Sequence, residues 1–186
     1  MKNIFTLHGL SQSKKIAFSA LFSALCCIGT ILIAIPLPNG YFNLGDVFVL
    51  LSGWILGPLH GSVAAAVGSA LADIISGYAI YVPATAFIKG GSALIAYLLA
   101  SFLKKSLKKE RLDFFARFIS ALFAEIFMAL GYLLFESFLY GWGGALPALT
   151  GNLLQGGCCL GIAVAIFSSL YFSQTTKKFL SNFLKN

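Results

Sequence analysis

Charged residues are scarce in this sequence. Of its 186 residues only 10% are Asp, Glu, Lys or Arg, whereas 59% are hydrophobic and the mean hydropathy is +0.89. A soluble globular chain carries about 25% charged residues, so most of this surface cannot face water. The composition excludes an ordinary soluble domain and indicates a single domain within a lipid bilayer.

Several signatures of catalysis are also missing. The sequence has no Walker motif, so it is not expected to hydrolyse ATP. Its two histidines, His8 and His60, fall at predicted cytoplasmic positions, which argues against a Ser–His protease or a histidine metal site within the membrane. The four cysteines lack metal-ligand spacing, and we interpret them as packing residues: Cys26 with Cys27, and Cys158 with Cys159. No cofactor and no metal are expected.

Long apolar segments dominate the sequence. A helix needs about 20 apolar residues to cross a bilayer, and unpaired backbone groups are costly in lipid, so helices or a closed barrel are the options. The segments lack strict alternation of apolar and polar residues, which favours helices. We predict an all-α integral membrane bundle of six transmembrane helices, at about 14–35, 46–57, 59–77, 82–103, 113–136 and 147–172.

The distribution of Lys and Arg predicts the orientation. Eleven of the 13 basic residues fall in three stretches that a six-helix topology places on one side of the membrane: 2–15, 104–111 and 177–185. The loops predicted on the other side contain none: about 36–45, 78–81 and 137–146. Both termini are therefore predicted to be cytoplasmic.

The predicted organisation has three parts: a cytoplasmic N-terminal segment at 1–13, a six-helix transmembrane domain at 14–172 and a basic cytoplasmic tail at 173–186. The net charge of +7 follows from the orientation signal. A nucleic-acid partner is therefore not expected, although the chain is basic.

Ionisable residues inside apolar segments are costly, and by default they mark a binding site or a pathway. With the predicted orientation most of them fall in the outer half of the membrane, where amides and hydroxyls join them. This pattern predicts a binding cavity that opens to the outside. Ten residues are the candidates for binding its substrate: Asn43, Asp46, Asp73, Tyr78, Tyr81, Thr85, Lys89, Glu136, Asn152 and Gln155.

Aromatic residues accompany the polar ones near the outer ends of the helices. As a group they fit an interfacial belt, which any membrane protein can have, as well as the walls of a binding site. They are Tyr41, Phe42, Tyr78, Tyr81, Tyr132, Phe135, Tyr140 and Trp142.

Structural roles stay open for three charged residues. Lys89 is alternatively a partner of Asp73 or Glu125 that lowers its own insertion cost. A negative charge near the start of the second helix stabilises that helix by about 0.3–1 kcal/mol. Capping therefore explains an acidic residue at position 46 as well as a binding site does. Arg117 is predicted to extend its side chain to the membrane interface.

Small residues form a stripe on the first helix at Ala17, Ala20 and Ala24. Such a face lets two helices approach closely. Packing within the chain and docking of another membrane protein both explain it.

Three stretches carry a resemblance to a known family: IPLPNGYFNLGDVFVLLSGWILGP (Ile35–Pro58), GSALADIISGYAIYVPAT (Gly68–Thr85) and FIKGG (Phe87–Gly91). They resemble the substrate-binding S-components of energy-coupling factor (ECF) vitamin transporters. The similarity is to the riboflavin-type branch, which also holds binders for pyridoxine-like and hydroxymethylpyrimidine-like substrates. It covers about residues 14–172 and is most specific over 35–91.

The resemblance implies a multi-pass subunit of a bacterial plasma membrane that binds a substrate and is not an enzyme. The implied partners are a membrane coupling protein, two cytoplasmic ATPase subunits and a water-soluble vitamin or precursor. It also implies that Ala20 and Ala24 dock on the coupling protein, and that the loop at about 36–45 closes over the substrate.

The polar set favours a small hydroxylated ring, such as pyridoxine or a hydroxymethylpyrimidine, as the substrate. Riboflavin is the alternative within the same role. Two readings from other classes stay open, a small membrane enzyme that acts on a lipid and a structural membrane subunit without a ligand.

Overall fold

The computed structural model describes residues 11–37, 40–107 and 112–173 of the chain. Nearly all of the predicted N-terminal segment and basic tail lies outside these ranges. So do His8 and seven of the basic residues that predict the orientation: Lys2, Lys108, Lys109, Arg111, Lys177, Lys178 and Lys185.

Helices make up most of the described residues, in agreement with the predicted class. They are α1 (Gln12–Leu32), α2 (Gly45–Leu56), α3 (Pro58–Ile75), a short 3-10 helix (Ala79–Tyr81), α4 (Val82–Leu107) and α5 (Asp113–Phe172), with the strands β1 (Ile35–Leu37) and β2 (Gly40–Phe42) between α1 and α2. The first helix ends before the predicted residue 35. Pro36 explains why Ile35 is extended and belongs to β1, because a proline disfavours helical backbone at the residue before it.

The long helix α5 is divided at Gly141, whose φ of 71° lies in the left-handed region that glycine adopts without strain. We call residues 113–140 the first arm and 142–172 the second arm. Residues at similar distances from Gly141 meet across the arms: Gly156 lies against Glu125, and Phe167 lies against Arg117. The two arms therefore run antiparallel. The loop predicted at 137–146 is wrong, because one glycine makes the turn.

Six helical segments of the predicted kind are thus present in the described part of the chain. Four helices there are long and apolar enough to span a membrane: Gln12–Leu32, Pro58–Ile75, Ala79–Ser106 and Asp113–Tyr171, of which the last includes both arms of α5. α2 has 12 residues, about 18 Å of helix, which is less than the roughly 30 Å of hydrocarbon. The number of crossings and the side of the termini stay predictions.

The short helix α2 lies at the centre of the bundle, where ten of its 12 residues are buried. Glycines bring its neighbours close. A Cβ on Gly53 would overlap the carbonyl oxygen of Ala93 in α4, and a Cβ on Gly61 in α3 would lie 2.6 Å from the carbonyl oxygen of Ser52. Burial on all sides explains why this helix is apolar around its whole circumference.

Arg117 lies inside the bundle, so the prediction that it reaches the membrane interface is wrong. Its side chain is 6% exposed, and its Nε lies 3.5 Å from Oδ2 of Asp113. The guanidinium lies 4.1 Å from the ring centroid of Phe167 and 5.5 Å from that of Trp54. Contact with aromatic faces and a carboxylate stabilises the buried cation.

Candidate functional site

A two-stranded hairpin connects α1 to α2 at the mouth of the candidate site. Its strands are antiparallel, with Ile35 opposite Phe42 and Pro36 opposite Tyr41. The sequence analysis treats this segment as a loop, so the hairpin is a small exception to the predicted all-α class. It holds Tyr41 above α3 and leads directly into Asn43.

Asp46, Lys89 and Gln155 form a hydrogen-bonded network that joins α2, α4 and the second arm of α5. The Lys89 Nζ lies 2.6 Å from Asp46 Oδ1, and Gln155 Nε2 donates to Asp46 Oδ2 at 2.5 Å. Lys89 therefore pairs with Asp46. The prediction that it pairs with Asp73 or Glu125 is wrong. All three network side chains are buried, so each charged or polar group depends on the others for a partner.

Asn43 extends the network to the hairpin. Its backbone N–H and its Nδ2 both donate to Gln155 Oε1, at 2.9 Å and 3.1 Å. Its Oδ1 accepts from the backbone N–H of Gly45 at 3.0 Å, which satisfies a donor at the start of α2. Asp46 lies in the first turn of α2, where a negative charge is favourable, and its two carboxylate oxygens accept from Lys89 and Gln155. Both roles left open for Asp46, at the start of the helix and within the site, therefore fit the geometry.

Four tyrosines form a wall on the other side of the site. Ring centroids lie 5.1 Å apart between Tyr41 and Tyr78, 6.1 Å between Tyr78 and Tyr81, and 6.5 Å between Tyr81 and Tyr132. The ring of Tyr132 also lies 5.3 Å from Lys89 Nζ. These spacings are in the range of favourable aromatic contacts, and the wall offers ring faces to a planar ligand.

Two carboxylates lie at this tyrosine wall. The Tyr41 hydroxyl donates to Asp73 Oδ1 at 3.1 Å, and the Tyr81 hydroxyl donates to Glu136 Oε1 at 3.4 Å. Burial, followed by the nearby Asp73 charge, raises the pKa of Tyr41 above its usual value. The Tyr41 hydroxyl therefore keeps its proton at neutral pH and acts as the donor in its bond to Asp73.

A cavity of about 490 Å³ lies between the network and the tyrosine wall. This figure includes the space at the mouth of the cavity that is open to solvent. Its lining residues come from every helix of the described chain except α2, from the hairpin, from the residue that follows the hairpin and from the turn between α3 and the 3-10 helix. They are Thr30, Tyr41, Asn43, Ser69, Asp73, Tyr78, Tyr81, Thr85, Lys89, Tyr132, Glu136, Asn152 and Gln155.

The structure brings the ten predicted residues together. Nine of them line the cavity, and the tenth, Asp46, lies behind it in contact with Lys89 and Gln155. Four lining residues were not in the predicted set. Tyr41 and Tyr132 belong to the aromatic group for which a belt and a site were both open, whereas Thr30 and Ser69 carry no signal that distinguishes them from other small helical residues.

The aromatic group divides between the two roles. Tyr41, Tyr78, Tyr81 and Tyr132 line the cavity, whereas Trp142 is 60% exposed and so fits the interfacial belt.

Glu125 lies outside the cavity lining and is buried against the second arm of α5. A Cβ on Gly156 would lie 2.9 Å from the Glu125 Cβ. Neither carboxyl oxygen of Glu125 has a hydrogen-bond partner among the described residues. Only a glycine at position 156 leaves room for this side chain.

The alanine stripe of α1 and the four cysteines lie outside the cavity lining. Ala17, Ala20 and Ala24 are exposed on the outward face of α1. Cys26 and Cys159 are buried packing residues, whereas Cys158 is exposed and Cys27 is half-buried. Within the described ranges no cluster of His, Cys, Asp and Glu has the size of a metal site.

Comparison with known proteins gives one matching family and several relatives. Residues 11–171 match the model of the family described as "ECF-type riboflavin transporter, S component". A protein of Pyrococcus woesei, described as an uncharacterized protein in gap 3'region, is 35% identical over 130 residues, which are 69% of this chain and 82% of that protein.

Two more distant similarities complete the comparison. The thiamine precursor transporter HmpT of Lactococcus lactis subsp. cremoris (strain MG1363) is 23% identical over 145 residues, which are 76% of this chain and 78% of that protein. The solved structure of the S component of a bacterial ECF transporter superimposes with a TM-score of 0.61 at 20% identity and covers 95% of this chain and 100% of that one. At this identity the structural match supports the fold.

Proposed function

The chain belongs to the family of ECF-type riboflavin transporter S components, and from this premise we propose that it captures a water-soluble vitamin or vitamin precursor outside the cell for uptake. S components are substrate-binding subunits of transporters that pair with an ECF module, and they are not enzymes. The observation that carries the proposal is the lining of the cavity, on which nine of the ten predicted residues converge.

The favoured substrate is a small ring of the hydroxymethylpyrimidine or pyridoxine type. The cavity combines ring faces with carboxylate, amide and hydroxyl groups, which suit a planar ring that bears hydroxyl and amino groups. The similarity to a thiamine precursor transporter supports the same chemistry. In this arrangement the tyrosines stack on the ring, and the polar side chains orient its nitrogen atoms and substituents.

Riboflavin is the second candidate. The family model is described for riboflavin transporters, and the wall of four tyrosines offers more than one ring to a larger aromatic molecule. The two candidates differ in size and in the number of hydroxyl groups, so direct binding measurements distinguish them.

Uptake would need partners that this chain does not supply. We propose a membrane coupling protein and two cytoplasmic ATPase subunits, in a bacterial plasma membrane that this chain crosses six times with both termini inside. The exposed stripe of Ala17, Ala20 and Ala24 supports a helix contact with the coupling protein. The hairpin supports a role for residues 36–45 as the cover of the bound substrate, because it carries Tyr41 and leads to Asn43 at the cavity.

The test is the thermal stability of the detergent-purified chain with a panel of hydroxymethylpyrimidine, pyridoxine, riboflavin and thiamine. A ligand at 100 times its dissociation constant stabilises the folded state by about 2.7 kcal/mol, so the melting temperature should rise with one compound. Asn152→Leu, which alters the cavity lining, should reduce the shift. Leu153→Ala should keep it, because Leu153 is 52% exposed beside that residue.

The possible outcomes separate the function classes. A shift with a small ring compound supports the favoured substrate, and a shift with riboflavin alone supports the second candidate. A folded protein that responds to no compound in the panel would overturn the proposal and favour a structural subunit without a ligand.

A further inference from the structure

Three buried polar oxygens in residues that line the cavity have no hydrogen-bond partner among the described residues. They are Asp73 Oδ2, Glu136 Oε2 and Ser69 Oγ. In both carboxylates the other oxygen accepts from a tyrosine hydroxyl, Tyr41 for Asp73 and Tyr81 for Glu136. Buried polar groups are nearly always satisfied in folded proteins, so these oxygens mark positions where a ligand completes the hydrogen bonding.

The lining of the cavity carries more acidic than basic residues. Lys89 is the sole Lys or Arg among the described lining residues, whereas Asp73 and Glu136 are both acidic. The Lys89 ammonium lies 2.6 Å from Asp46, behind the lining, so its charge is already paired. The two acids at the tyrosine wall have no ion-pair partner among the described residues.

We propose that Asp73 and Glu136 make the site selective for ligands that present hydrogen-bond donors or a positive charge, and that they exclude the phosphate esters of the same compounds. This inference rests on the proposed function. An exocyclic amino group, a ring N–H or a hydroxyl donates to the free oxygen of either acid. A phosphate group brings acceptor oxygens and at least one negative charge close to these two acids, and like charges in a buried site disfavour binding whenever the acids are ionised.

The arrangement of the tyrosines supports this role for the two acids. The Tyr41 hydroxyl donates to one oxygen of Asp73 at 3.1 Å, and the Tyr81 hydroxyl lies 3.4 Å from one oxygen of Glu136, so the second oxygen of each acid is available. The rings of Tyr41, Tyr78 and Tyr81 form a continuous series of contacts between the two acids. The rings are inclined by 50° between Tyr41 and Tyr78 and by 80° between Tyr78 and Tyr81. A planar ligand therefore stacks on one ring of the series, with an acceptor at each end of the series.

The test compares matched pairs of compounds by calorimetry on the purified full chain. The pairs are hydroxymethylpyrimidine, pyridoxine and riboflavin, each with its own phosphate ester. We expect the compound that binds to do so at least about 100-fold more tightly than its ester, which corresponds to a few kcal/mol of repulsion. Asp73→Asn and Glu136→Gln should each narrow that ratio about tenfold, because each removes one negative charge while keeping the shape.

Glu125→Gln is the matched control, because it replaces a buried acid by its amide outside the cavity lining. It should leave the ratio unchanged. Equal binding of a compound and its ester by the native chain would overturn the inference while the proposed function stands. An unchanged ratio in both Asp73→Asn and Glu136→Gln would overturn it as well. If no compound binds the folded protein, the proposed function fails and this inference fails with it.

Discussion

The Lys89 ammonium and the Asp46 carboxylate lie 2.6 Å apart, and their side chains are only 6% and 1% exposed. An ion pair this deeply buried is weak evidence for stability in itself, because both charges lose their hydration. Its importance lies in what depends on it. Gln155 bonds to the other oxygen of Asp46, and Asn43 bonds to Gln155, so the pair fixes one side of the cavity.

Substitution of either Lys89 or Asp46 alone should lower the stability of the protein more than substitution of both together. Lys89→Met and Asp46→Asn should each destabilise the protein by about 3–5 kcal/mol, because each leaves a buried charge without its partner. The double variant should recover a large part of this, since the amide oxygen introduced at position 46 still offers Gln155 an acceptor. Melting curves of the native chain, both single variants and the double variant measure the coupling.

Strictly additive losses in that cycle would contradict a direct role for the pair. The double variant also separates two roles of Lys89. If it is stable and no longer binds the ligand, Lys89 contacts the ligand, whereas retained affinity assigns Lys89 to the structure of the site.

Gln155→Leu should destabilise the protein by about 3 kcal/mol. The change leaves one oxygen of Asp46 and the backbone N–H of Asn43 without partners in a buried region, and each such group is costly. It also removes one of the two acceptors of Asn43 Nδ2, which keeps the backbone oxygen of Tyr41 at 3.4 Å. Asn152→Leu, one turn away on the same arm, is the control and should change stability by less than about 1 kcal/mol. Similar melting temperatures for the two variants would show that the network contributes little.

The neighbouring glycines 156 and 157 should respond differently to alanine. In Gly156→Ala the new methyl group would lie 2.9 Å from the Glu125 Cβ, and overpacking of this kind costs about 1–3 kcal/mol. In Gly157→Ala the methyl group meets open space, so stability should be retained or increase by up to about 1 kcal/mol. Equal melting temperatures for the two variants would contradict the close contact between the arms.

Gly141→Ala should destabilise the turn between the arms of α5 by about 1–2 kcal/mol. The cost is backbone strain, because φ at this position is 71° and a Cβ there meets no neighbouring atom. Gly143→Ala is the control, since its Cβ also meets open space and its backbone is not in the left-handed region. A drop in melting temperature of the same size in both variants would argue against strain as the cause.

The site was largely predictable because depth in a membrane follows from the sequence. Hydropathy locates the helices, and the positions of Lys and Arg indicate which ends share a side. Asp73 near the end of α3 and Gln155 near the start of the second arm therefore fall at one level, and the structure lines one cavity with both.

Rotation about each helix axis was not predictable in the same way. Depth alone places Asp46, Asp73 and Glu125 all within plausible reach of Lys89, and only the packing of α2 at the centre of the bundle selects Asp46. Arg117 shows the same difficulty, because its position near a helix end does not reveal that Phe167 and Trp54 enclose it. The turn at Gly141 was missed since the glycines around it resemble a longer loop.

The contact between Asn43 and Gln155 joins positions 112 residues apart in the chain, and this has a consequence for biosynthesis. At the usual rate of about 5–20 residues per second, roughly 6–22 s separate the emergence of the two residues from the ribosome. During that interval the earlier helices are already synthesised, but Asn43 cannot yet form its hydrogen bonds to Gln155. The candidate site is thus completed by the second arm of α5, so a chain truncated before residue 142 would lack Asn152 and Gln155 and would have no finished cavity.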